Sequence, residues 1–194
     1  MNPAVLEWSA ALASMLGVWL MTRRRLAAWP VGLLSVGLYA VVFAQARLYS
    51  DTLLQIVFAG FLVYGWMSWR RHAAQDGRVA VVSLPMPLLL RDLAVGLTLG
   101  LALGAVMHTF TGAHLPWLDA MLAALSLVAQ WWQARRHVAA WWLWIVVDVV
   151  YIGAYVYKSL YVTAALYVLF IGLAVIGLRA WSAARHQAEA LVTH

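Results

Sequence analysis

The chain has 194 residues, 65% of them hydrophobic and only 10% charged, with a net charge of +6 and a mean hydropathy of +0.84. That is well above the near-half apolar share of a soluble domain and reads as a membrane protein. Cysteine is absent, which excludes disulfides and thiolate metal sites. The basic excess calls for no nucleic-acid partner, because membrane topology and anionic lipid account for it.

Seven segments approach the roughly 20 apolar residues that a helix needs to cross a bilayer: 4–21, 30–46, 52–69, 87–107, 116–134, 141–157 and 161–180. Alternating polar and apolar strands of a closed barrel are not seen, so the expected fold is an all-α membrane protein with seven transmembrane helices. Met1 to Glu7 holds no basic residue, unlike a cleaved signal, so the first segment is expected to stay as a membrane helix. Arg23, Arg24, Arg25, Arg70, Arg71, Arg78, Arg91, Arg135, Arg136, Arg179 and Arg185 all fall on one side of this arrangement. Arg47 and Lys158 alone fall on the other. The excess of positive charge on cytoplasmic loops then predicts an outer N-terminus and an inner C-terminus.

A constant offset of 112 residues pairs Ser14 with Ser126, Trp19 with Trp131, Arg23-Arg24 with Arg135-Arg136 and Trp29 with Trp141. The same offset continues through Tyr39 and Tyr151, Tyr49 and Tyr161, Phe58 and Phe170, Gly60 and Gly172, Gly65 and Gly177, and Trp69 and Trp181. Rare residue types held in register across three spans mark an internal duplication. The expected organisation is a first three-helix repeat at 1–71, a loop and linker helix at 72–112, and a second repeat with its tail at 113–194. The linker returns the chain across the membrane, so the two copies run parallel, a design used by transporters. A substrate site is expected between the copies near mid-depth.

Ionisable groups within spans are costly and normally face the bundle interior. Asp148 lies inside the sixth span, and helical spacing puts Trp144, Asp148, Tyr151 and Tyr155 on one face. Two roles fit Asp148 equally: ligand contact and an interhelical hydrogen bond. Ser126, Gln130 and Gln133 share a face of the fifth span, where Ser126 suits packing and the amides suit ligand recognition. Asp51 suits a cap at the start of span three, with Gln55 one turn deeper as the better contact. Gly32, Gly37, Gly60, Gly65, Gly153, Gly172 and Gly177 are expected mostly to admit close helix approach. A substrate without two-fold symmetry needs different groups from the two copies, and divergence at matched positions marks them. Asp51 has become Thr163, Gln55 has become Tyr167, and Val36 matches Asp148. Gln55 and Asp148 are therefore expected to contact substrate, Trp144 or Tyr151 to stack on its ring, and the unchanged Tyr49 and Tyr161 to serve packing. Rings with a carboxylate suit a flat cationic ligand.

Other classes lack their chemistry. A retinal protein needs a lysine within the last helix, and the one lysine, Lys158, is in a loop. The six histidines lie at span ends or in loops, which disfavours haem or quinone enzymes. No nucleophile with its base, phosphate loop or metal set appears, so neither enzyme activity nor a cofactor is expected.

Two stretches carry a resemblance: WPVGLLSVGLYAVVFAQARLYSDTLLQIVFAGFLVYGWMSW from Trp29 to Trp69, and VAQWWQARRHVAAWWLWIVVDVVYIGAYVYKSLYVTAALYVLF from Val128 to Phe170. They resemble the PnuC family of bacterial vitamin transporters. The family's WPxG matches Trp29, Pro30 and Gly32; its LYxDxxLQ matches Leu48, Tyr49, Asp51, Leu54 and Gln55; its AQW matches Ala129, Gln130 and Trp131. Its NWxxWxxxD matches Trp141, Trp144 and Asp148, with Ala140 in place of Asn, and Ala28 replaces a polar or sulfur residue before WP. The resemblance implies a 3+1+3 layout like that of the SWEET proteins, a homotrimer in the inner membrane, and facilitated diffusion of nicotinamide riboside for NAD biosynthesis. Phosphorylation of the vitamin by a cytoplasmic kinase would make uptake one-way. Taken with the spacing and the divergence between copies, the candidate substrate contacts are Trp29, Asp51, Gln55, Gln130, Trp144, Asp148, Tyr151 and Tyr167. Thiamine shares the cationic ring, whereas neutral riboflavin fits less well.

Overall fold

The computed structural model describes residues 3–45, 49–73, 79–110, 115–157, 159 and 161–192. Arg47, Arg78 and Lys158 of the charge pattern lie outside the described residues. The helices are α1 (Pro3–Thr22), α2 (Ala28–Gln45), α3 (Tyr49–Arg70), α4 (Met86–Phe110), α5 (Pro116–Ala134), α6 (Ala139–Tyr157) and α7 (Tyr161–Val192). Among the described residues no strand forms, and extended pairing is limited to isolated bridges between Ala73 and Val79 and between Val82 and His137.

All seven expected helices are present, and six of them are long and apolar enough to cross a membrane. The exception is α5, whose length matches its expectation but whose sequence carries Asp119, Ser126, Gln130 and Gln133. Ser126, Gln130 and Gln133 are nevertheless buried. The polarity that lowers the hydropathy of α5 is thus turned into protein. The last helix runs on to Val192, where the apolar pattern ended at 180. Tyr49 opens α3, which puts Asp51 inside the first turn rather than ahead of it.

The described chain divides into two bodies. One holds Met1–Val81 together with Ala134–Arg136 and Ile176–His194. Within it α1 packs on α2 and α2 on α3. A Cβ added to Gly17 would stand 3.5 Å from the Gly32 nitrogen, and one added to Gly32 would stand 3.2 Å from Leu62. Small residues therefore set the spacing of these helices. Ser35 Oγ donates to the Ala10 carbonyl at 2.9 Å, joining α2 to α1.

A tryptophan cluster lies near the arginine-bearing ends of α1 and α3. Trp29, Trp69 and Trp181 are completely buried. The Trp29 and Trp69 rings meet edge to face at 5.1 Å, and Trp69 meets Trp181 at 5.8 Å. Gly65 makes room for this cluster, since any Cβ there would overlap the Trp29 ring. Trp69 Nε1 donates to the Ala134 carbonyl at 3.1 Å, and Trp181 Nε1 donates to the Met21 carbonyl at 3.0 Å. The end of α3 is thereby tied to the end of α5, and α7 to the end of α1, by residues that stand 112 positions apart.

The α1–α2 and α5–α6 turns are built alike. The Arg25 N–H donates to the Leu20 carbonyl at 3.1 Å, and the His137 N–H to the Trp132 carbonyl at 2.9 Å. Arg24 and Arg136 adopt the left-handed conformation, with φ of 56° and 67°. This is the six-to-one closure of a Schellman cap, in which that residue is usually glycine. Arg24 Nη1 also donates to the Val79 carbonyl at 3.3 Å. Burial lowers the pKa of Arg136 below its ordinary value, leaving it cationic, and its Nε has no hydrogen-bond partner among the described residues.

The second body holds Val82–Gln133 and His137–Val175. Here α4 lies on α5 through a row of glycines that sequence reading had passed over. Added Cβ atoms would stand 2.7 Å from Val128 at Gly96, 2.8 Å from Met121 at Gly100 and 2.6 Å from Trp117 at Gly104. Four-residue steps put these three on one face. Near their start, buried Asp92 accepts from Trp132 Nε1 at 2.9 Å through Oδ2. Its Oδ1 accepts from Arg91 Nη2 at 2.7 Å. The core around α5 and α6 is formed by Leu122, Val128, Ala129, Trp132, Ala140, Leu143 and Val147. Ala140, where the motif has Asn, is therefore a packed methyl.

Several packing expectations change. Among the described residues, Cβ atoms at Gly37, Gly60, Gly153 and Gly172 would meet nothing within 4 Å, so no close approach between described segments depends on them. Tyr161 is 65% exposed and is no packing residue within the described chain.

Candidate functional site

The second body collects most of the polar groups singled out in the sequence. On α6 the helical repeat carries Trp144, Asp148, Tyr151 and Tyr155 along one side. The Tyr151 and Tyr155 rings stack at 5.7 Å and 13°. Tyr167 of α7 completes a triangle, 5.1 Å from Tyr151 and 5.1 Å from Tyr155. Phe170 then meets Tyr167 edge to face at 5.8 Å. Three tyrosine rings from two helices thus form one aromatic wall.

Asp148 is buried at 6% exposure. No cation or hydrogen-bond donor is paired with it among the described residues. Among the described residues it makes no interhelical hydrogen bond. A carboxylate withdrawn from water without a partner is unfavourable by several kcal/mol.

The polar face of α5 divides its tasks. Ser126 Oγ donates to the Leu122 carbonyl in its own helix at 2.8 Å. Gln133 Oε1 accepts from Trp144 Nε1 at 2.8 Å. Gln130 is 7% exposed, and its amide nitrogen has no acceptor among the described residues. An orphaned buried donor costs about 1 to 3 kcal/mol, so Gln130 and Asp148 are two uncompensated groups of complementary kind in the same body.

The first body holds the remaining candidates. Trp29 is completely buried in the tryptophan cluster, with its indole nitrogen unpartnered among the described residues. Gln55 is half-buried on α3, and the Asp51 side chain lies outside the described residues. Asp92 and Trp132 were missed, although an ionisable residue beside Arg91 at the head of a span was legible as a signal. No group of three His, Asp or Glu able to hold a metal occurs among the described residues.

This geometry has known counterparts. Residues 4–183 match the nicotinamide mononucleotide transporter family. Over 97% of this chain and 91% of the relative, it is 26% identical to "Nicotinamide riboside transporter PnuC" of Escherichia coli (strain K12). It is 30% identical to "Riboflavin/roseoflavin transporter RibM" of Streptomyces davaonensis, over 90% of this chain and 84% of the relative. The fold superposes on the "Crystal structure of the Vitamin B3 transporter PnuC" with a TM-score of 0.78 and 25% identity, covering 96% of this chain and 84% of that one. An all-helical membrane chain with unpaired buried polar groups, matched along almost its whole length, belongs to the nicotinamide mononucleotide transporter family, whose members are membrane transporters and not enzymes.

Proposed function

We propose that this transporter carries nicotinamide riboside across the inner membrane. The observation that supports this most is Asp148, a buried carboxylate with no paired cation or donor among the described residues, on a helix face lined with aromatic rings. The faces of Trp144 and the tyrosines attract a flat cation, and the carboxylate balances its charge where water is excluded. The orphaned Gln130 amide suits an acceptor oxygen on the same ligand. Trp144 or Tyr151 stacks on the ring, and Gln55 of α3 is a separate candidate contact. The relative from Escherichia coli and the solved structure carry names of the same substrate class. Thiamine satisfies Asp148 equally well. Riboflavin is a second reading because of the relative named for it, but its neutral ring leaves the carboxylate uncompensated.

The chain works as two parallel three-helix copies with α4 as the linker, supported by the matched turns at Arg24 and Arg136 and the reciprocal bonds of Trp69 and Trp181. Its N-terminus faces outward and its arginine-bearing ends face the cytoplasm. It acts as a homotrimer with a path in each protomer, and moves substrate by facilitated diffusion that a cytoplasmic kinase makes one-way. Binding titrations of purified protein with nicotinamide riboside, thiamine and riboflavin test the substrate. Preference for riboflavin would reverse the assignment. Uptake into liposomes without gradient or kinase should equilibrate and stop, and accumulation beyond equilibrium would show a coupling ion.

A further inference from the structure

We infer that Gln133 is a positioning residue, whose amide oxygen sets the orientation of the Trp144 indole and so prepares it to stack on the substrate ring. The inference rests on the reading of Trp144 as a substrate contact. Sequence spacing made Gln133 a candidate ligand reader, yet its carbonyl is already committed to Trp144 Nε1 at 2.8 Å. At 5% exposure it lies in the body interior, whereas Trp144 is only half-buried and packs partly against the core cluster. A half-packed indole can turn about χ2, a broad torsion, unless a fixed partner holds its N–H.

Gln133 is itself held. Its neighbour Trp132 donates to Asp92 at 2.9 Å, and the glycine row of α4 receives Val128 and Met121 of α5. Consecutive helical residues point about 100° apart, so α5 is fastened to α4 through residue 132 and to α6 through residue 133. The device exists only once in the duplicated chain. Met21 and Gly32 occupy the matched positions of the first copy, as Val36 occupies that of Asp148. The indole, its acceptor and the carboxylate are therefore confined to the second copy, as a ligand without two-fold symmetry requires.

The test is a double-mutant cycle read by titration with nicotinamide riboside, with thermal unfolding measured alongside. Gln133→Met removes the acceptor at similar volume and should weaken binding about fivefold, the worth of one neutral hydrogen bond. Gln133→Glu keeps an acceptor and should stay within about twofold of wild type. In a Trp144→Phe background, which has no indole N–H, Gln133→Met should cause no further loss. Equal loss in both backgrounds would overturn positioning in favour of direct contact or a general packing role. So would unchanged affinity of Gln133→Met where Trp144→Leu binds poorly. If Trp144→Leu itself binds as wild type, the stacking role fails and takes this inference with it.

Discussion

Replacing Asp148 by Asn should move affinity and stability in opposite directions. The side chain keeps its shape but loses its charge, at a position 6% exposed with no paired donor or cation among the described residues. Two unit charges 4 Å apart attract by about 4 kcal/mol at an effective dielectric of about 20. Desolvation of both partners returns part of this, and hydrogen bonds to charged groups retain a net of about 1.5 to 3 kcal/mol. Affinity for nicotinamide riboside should therefore fall by about tenfold to over a hundredfold. The empty protein loses an uncompensated buried charge, so its unfolding temperature should hold or rise. Isothermal titration and thermal unfolding on one preparation read both quantities, with neutral riboflavin as the ligand whose affinity should not drop. An unchanged Kd for the cation, or a fall in unfolding temperature, would make Asp148 structural and refute the site.

Trp69→Phe and Trp181→Phe each delete one buried N–H donor while keeping a ring, and each should destabilise the protein by about 1 kcal/mol or somewhat more, by closely similar amounts if the two copies are equivalent. Denaturant or thermal unfolding of the pair checks this. Gly65→Ala drives a methyl into the Trp29 ring and should cost about 1 to 3 kcal/mol, whereas Gly60→Ala meets open space and should be neutral or stabilising by up to about 1 kcal/mol, so the two alanine variants should separate clearly in the same assay. Arg136→Gly relieves a left-handed residue and should stabilise the α5–α6 turn by about 1 kcal/mol. Arg24→Gly should gain less, because it also gives up the bond to the Val79 carbonyl.

Much of this protein was legible in its sequence, because the features concerned are local. Apolar runs of spanning length place the helices, and a 100° turn per residue puts Trp144, Asp148 and Tyr151 on one side of α6 wherever that helix goes. The duplicated stretches predicted like structures, and the turns at Arg24 and Arg136 close with the same hydrogen bonds because a helix cap depends on only six consecutive residues. What the sequence could not decide is which polar group finds a partner. Ser126, Gln130 and Gln133 look alike as a stripe on α5. Ser126 bonds to its own helix and to Tyr151 of α6, Gln133 accepts from an indole of α6, and the Gln130 amide nitrogen has no partner among the described residues. Likewise the spacing of Gly96, Gly100 and Gly104 was readable, but not that α5 would fill it, and Tyr161 was matched in both copies yet lies exposed. Only tertiary packing settles such questions, because a side chain's neighbours on other helices depend on crossing distance and rotation, which no single segment encodes.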